Sequence, residues 1–158
     1  MSSPSALLYV LTSPKPSLSH SNFNEWYDTV HLKDVLSPPG APTLGLRFKH
    51  IDPSAAFPYL ALYPLEDLGY LQTDGPKTIP MTHELLGESG EFSKEVDAEL
   101  RVYVKIQELE GVDLKDGRPK AVVIVHLEPA EGGDEELDEW YRKQVGAICL
   151  CVTWMSCT

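Results

Sequence analysis

The stretch NFNEWYDTVHLKDVL, residues 22–36, decides how this chain is read. Wound as an α-helix, it puts Phe23, Trp26, Tyr27 and Val30 on one apolar face. His31 follows Tyr27 by four residues and Asp34 follows His31 by three, so both fall on or beside that face. Asn22 reads as the N-cap, with Glu25 at the reciprocal capping-box position and Asp28 close to the positive end of the helix. Pro38, Pro39, Gly40 and Pro42 end the helix by Ser37. An ionisable pair where core residues are expected is the main functional signal of the chain.

Working outward, residues 6–12 (ALLYVLT) set Leu7, Tyr9 and Leu11 against Leu8 and Val10, a strand apolar on both faces. Residues 13–21 form a loop, since Pro14 and Pro16 forbid a regular helix. Residues 43–51 alternate Leu44, Leu46 and Phe48 against Arg47 and Lys49, and residues 58–65 set Tyr59, Ala61 and Tyr63 against Leu60 and Leu62. Both read as strands, with turn residues Asp52, Pro53 and Ser54 between them. Residues 66–72 and 80–88 read as short helical pieces split at Asp74-Gly75-Pro76. Residues 99–108 alternate with a period of two, another strand. The order strand, helix, strand, strand, helix, strand predicts an α+β, ferredoxin-like βαββαβ domain over residues 1–110, with strands one and three central.

Residues 111–119 (GVDLKDGRP) read as a linker. Residues 120–127 read as a strand, and Asp134 opens a helix reading ELDEWYRKQV. Asn24-Glu25-Trp26-Tyr27 is echoed 114 residues later by Asp138-Glu139-Trp140-Tyr141, each time after a strand and a polar loop. The echo makes residues 120–158 a partial second copy, an extra β-α unit with an atypical tail. That tail, residues 146–158, carries no charged side chain and is strand-prone over residues 147–154. Its expected origin is a truncated or alternatively spliced product.

A formal net charge of −11 argues against a nucleic-acid or anionic-membrane partner, both of which want clustered cations. The apolar run at residues 6–11 is too short for a signal peptide or a membrane span, so cytoplasmic residence is expected. Cys149, Cys151 and Cys157 read as free thiols, and neither their spacing nor that of the histidines predicts a metal site. No phosphate loop, dinucleotide fingerprint or nucleophile elbow appears.

His31 is a group that a protein can set as acid or base near neutral pH. Asp34, one turn on, would fix its tautomer and raise its pKa. The bland alternative is a helix histidine bonded to Asp34 or to the backbone. Tyr9, Tyr59, Tyr63 and Tyr103, projecting with Arg47 from the sheet face away from the helices, would line an aromatic cavity with a few polar handles.

Trp26-Tyr27-Asp28-Thr29-Val30-His31, set after a first strand, resembles the W-Y-x-x-x-H helix signature of the EthD-like family of dimeric α/β-barrels. The resemblance covers roughly residues 5–108. It implies a domain that pairs sheet to sheet with a second copy as a homodimer, around a pocket for a small hydrophobic ligand. It also implies a protein working without a bound cofactor, with Trp26 as packing anchor and Tyr27 and His31 turned toward the pocket. Members are associated with ether-degradation oxidation systems and with polyketide tailoring, including decarboxylation. In the second copy Arg142 and Val145 replace Asp28 and His31, so that half lacks the ionisable group. The expected function is acid/base chemistry on an aromatic or polyketide-like molecule, with His31 as acid/base, Tyr27 and Asp34 orienting it, and Trp26, Tyr9, Arg47, Tyr59, Tyr63 and Tyr103 binding substrate. A barrel that only sequesters an apolar ligand, and an inactive truncated product, are the alternatives.

Overall fold

A computed structural model describes residues 3–109, 121–125, 133–145 and 151–156. The chain divides into two units, one of Met1–Val104 with Met155–Thr158, the other of Lys105–Trp154. In the first unit β1 (Ala6–Pro14) is followed by helix α1 (His20–Trp26), a π-helical turn (Tyr27–His31) and helix α2 (Leu32–Leu36). Strands β2 (Leu46–Lys49) and β3 (Tyr59–Leu65) come next, then two 3-10 turns (Leu68–Gln72 and Gly75–Thr78), helix α3 (Phe92–Glu95) and β4 (Val96–Leu109).

The four strands lie in the order β2-β3-β1-β4, every neighbour antiparallel, with β1 and β3 central as expected. This is the α+β, ferredoxin-like arrangement. Val10 stands opposite Ala61 and Leu100, and Tyr9 opposite Leu62 and Arg101. That register sorts the sheet into two faces. Val10, Tyr59, Ala61 and Tyr63 share a core with Phe23, Trp26, Tyr27 and Val35 of the helices. Leu7, Tyr9, Leu11, Leu60, Leu62 and Tyr103 belong to the opposite face. Phe23, Trp26 and Tyr27 are almost wholly buried, each contributing of the order of 1.5–3 kcal/mol from its apolar surface.

The helix is capped three residues before the expected Asn22. Ser19 is the cap, its hydroxyl accepting from the Asn22 amide at 3.1 Å. Leu18 and Phe23 hold the flanking positions of a hydrophobic staple and share the core cluster. The π turn then absorbs one extra residue without advancing the apolar face. His31 and Val35 are therefore buried where a regular helix would bury Val30 and Asp34.

The helical piece expected over residues 80–88 does not form. Thr82 makes an isolated bridge to Glu91, and the segment turns through Gly87 and Gly90, both at positive φ. Further along the chain, residues 134–145 are helical as expected (α4, Asp134–Val145), and Cys151–Ser156 is strand β5. Residues 121–125 of the expected strand are irregular and exposed, and the rest of it lies outside the described residues. The expected linker at residues 111–119 also lies outside them. No helix among the described residues is long and apolar enough to cross a membrane.

Candidate functional site

Helix and sheet meet in an aromatic cluster around Tyr27. Its ring packs edge-on against Phe23 at 5.6 Å and Trp26 at 5.7 Å, and its hydroxyl pairs with that of Tyr63 at 2.9 Å, fully buried. Burial pushes both phenols up, so both remain neutral; for Tyr63 the neighbouring Tyr27 adds to the effect.

His31 sits behind this pair. Its ring stacks on Trp26 at 4.5 Å with 22° between planes, lies nearly parallel to Phe92 at 6.4 Å, and meets Tyr27 edge-on at 4.9 Å. It is 7% exposed, and Nδ1 has no hydrogen-bond partner. Burial lowers its pKa to about 4, outweighing the nearby Asp34 carboxylate, which acts the other way, while Arg47 adds to the lowering. The shift is thus opposite to the one expected from Asp34. No hydrogen bond joins Asp34 to the ring, because the π turn leaves Asp34 half-exposed beside the buried face. The imidazole is a neutral, desolvated base in the core.

The other side of Tyr27 faces Arg47, whose guanidinium carbon stands 4.1 Å above the ring centroid. Arg47 pairs with Asp28 and donates to Asn24 Oδ1 at 2.9 Å. Asn24 Nδ2 donates to Tyr59 Oη at 2.9 Å, and that hydroxyl also meets His20 Nδ1 at 2.9 Å. These groups border an open depression of about 270 Å³ lined by Asn24, Asp28, Arg47, Phe48, Lys49 and Tyr59.

Of the residues singled out from sequence, the structure brings Trp26, Tyr27, His31, Arg47, Tyr59 and Tyr63 together between helix and sheet. The expected cavity on the far face does not gather all four strand tyrosines. Register turns Arg47, Tyr59 and Tyr63 to the helix side, while Tyr9 and Tyr103 pack edge-on at 5.8 Å on the opposite face, near Arg101. Sequence reasoning missed His20, Asn24, Asp28, Lys49 and Phe92. Only the i, i+4 spacing of Asn24 and Asp28 on the flank beside Tyr27 could have flagged any of them. Among the described residues, no group of three or more His, Cys, Asp or Glu could hold a metal ion.

No protein-family model and no solved structure matches the chain. It is similar to "Core atranone cluster (CAC) protein 1" of Stachybotrys chlorohalonatus (strain IBT 40285), at 37% identity over 129 residues. The match takes in 80% of this chain and 55% of that protein, so the chain spans about half the length of the curated relative it matches.

Proposed function

We propose that this chain is a small EthD-like enzyme that acts, without a bound cofactor, on a hydrophobic aromatic or polyketide-like molecule by acid/base chemistry. The observation that carries the reading is the His31 ring: buried, neutral, held against Trp26 and Tyr27, with Nδ1 unpartnered. Buried polar atoms are ordinarily satisfied, and an orphan among aromatic side chains fits a group kept for a ligand. Neutral imidazole is also the form that accepts a proton. Because the His31 ring is buried against Trp26 and Phe92, substrate binding requires this packing to open. Nδ1 then takes a proton from the substrate, Tyr27 holds the ring, and the Asp34 charge favours the imidazolium that forms. Cyclisation and oxygen-dependent oxidation can begin with such a step, and in a decarboxylation the imidazolium formed from the carboxyl proton returns that proton to the carbon that loses CO2. The name of the matched relative, a core atranone cluster protein, supports a role with a small organic molecule. The EthD resemblance further implies that the domain pairs with a second copy.

The test is His31→Gln, assayed by mass spectrometry on a panel of aromatic polyketide acids. The variant retains affinity and loses turnover. Unchanged turnover would refute the reading. A non-catalytic ligand-binding protein is the second reading, favoured by the open depression, which is lined by Arg47 and Tyr59 and not by His31. It predicts binding without conversion, and loss of binding on Tyr59→Ala.

A further inference from the structure

The hydrogen bonds made by Asn24 beside the open depression have a determined direction. Arg47 is a donor only, so the Asn24 atom that meets it is the amide oxygen, and Nδ2 must face the other way. Both Nδ2 hydrogens are then committed, one to the His20 carbonyl at 2.7 Å and one to Tyr59 Oη. Tyr59 Oη receives a hydrogen bond, and among the described residues the acceptor within reach of its own hydrogen is His20 Nδ1 at 2.9 Å. If Tyr59 donates in that contact, the neutral His20 ring carries its proton on Nε2, which is the tautomer a relay through Nδ1 uses. Because His20 is exposed, a proton arriving at Nδ1 has a way out to water from Nε2.

The charge of the depression runs against that of the chain. In a protein of net charge −11, Arg47 and Lys49 both project to the helix side of edge strand β2, with Lys49 directly across from Tyr59. Only Asp28 answers them among the lining residues, and Lys49 has no ion pair among the described residues. One cationic charge is left over at the mouth of the depression. A volume of about 270 Å³ lies just below the usual range of ligand pockets and has room for a molecule of no more than one ring.

We propose that this depression is an acid/base site separate from His31, which takes a small aromatic carboxylate bearing a hydroxyl group, with Tyr59 and His20 as its proton relay. Lys49 and the outer edge of Arg47 hold the carboxylate. The substrate hydroxyl gives its proton to Tyr59 Oη as Tyr59 passes its own to His20 Nδ1. The resulting imidazolium loses the Nε2 proton to water, leaving the substrate as phenolate, Tyr59 as phenol and His20 as its Nδ1–H tautomer. No step passes through the His31 ring, so failure here leaves the His31 reading untouched, and the reverse holds.

The experiment is ¹⁵N NMR of the histidine rings in the full chain at about pH 8, where an ordinary imidazole is neutral. Free protein is expected to show His20 protonated at Nε2 and bare at Nδ1. In the free protein, a signal for the Nδ1–H form would overturn the relay. Adding 4-hydroxybenzoate is expected to move the His20 ring signals of the free protein from the Nε2–H toward the Nδ1–H tautomer, and Tyr59→Phe to abolish that response while the compound still binds. Lys49→Gln, an exposed position that leaves the fold intact, weakens 4-hydroxybenzoate about tenfold. No binding at millimolar concentration, binding without a His20 response, or a response that persists in Tyr59→Phe would each refute the proposal.

Discussion

Replacing His31 by Phe exposes the energetics of the core directly. The folded ring titrates at about 4 and the unfolded one near 6.5, because burial penalises the imidazolium. The sign follows from linkage. Above about pH 6.5 both states are neutral and the histidine adds no pH dependence; as pH falls toward 4, the unfolded chain binds a proton that the folded one refuses. Stability present above the unfolded pKa is therefore lost as pH falls to the folded pKa. At about 1.36 kcal/mol for each tenfold in proton affinity, the full loss approaches about 3 kcal/mol, of which about 2.5 is reached by pH ~4.5. Phe keeps a ring against Trp26 and Phe92 and removes the unpartnered Nδ1, so His31→Phe is more stable than the parent by about 1 kcal/mol at neutral pH. Urea unfolding of both proteins between about pH 7.5 and 4.5 reads the difference, with carboxylate contributions common to the two. The gap widens to about 3.5 kcal/mol at the acid end. Parallel pH profiles would refute the claim that a buried neutral imidazole sits in this core.

Three further expectations use the same denaturation assay. Tyr27→Phe or Tyr63→Phe alone leaves its partner's hydroxyl buried and unpaired, costing about 1–3 kcal/mol, while the double variant recovers most of that loss; additive losses would contradict the pairing. Ser19→Ala removes the cap on the Asn22 amide and costs about 1 kcal/mol, whereas Asn22→Ala has a much smaller effect; the reverse ranking would restore Asn22 as the cap. Gly87→Ala forces a side chain into positive φ at +74°, with its Cβ 3.3 Å from the Glu95 carboxyl, and lowers stability by about 1 kcal/mol or more. An unchanged urea midpoint would show that the turn is not built as described.

The strand order was legible because alternation is a local property. Residues 43–51 and 58–65 announced which side chains share a face. Which face meets the helix was not legible, since it depends on registers set by strands distant in sequence. Arg47 was accordingly grouped with Tyr9 and Tyr103 and in fact lies under Tyr27's side of the sheet, held by Asp28 and Asn24. The apolar helix face carrying Trp26 and Tyr27 is buried as the spacing predicted, but the turn that buries His31 and Val35 has an i→i+5 bond that no periodicity rule anticipates. Helix propensity in residues 80–88 lost to Gly87 and Gly90, whose left-handed backbone turns the chain toward the Thr82–Glu91 bridge. Apolar content likewise misled at residues 121–125, where Val123 is 87% exposed. His31 itself was found by residue type and spacing. Its protonation was not, because the burial that depresses its pKa is a tertiary property.

The central claim is that His31 is a neutral base with a free nitrogen in the core, and ¹⁵N NMR of that ring across pH tests it most directly. The expected result is a single neutral tautomer, bare at Nδ1, persisting from about pH 8 to 5 and charging only near pH 4. A His31 ring that becomes doubly protonated near the ordinary imidazole value of about 6.5 would contradict it.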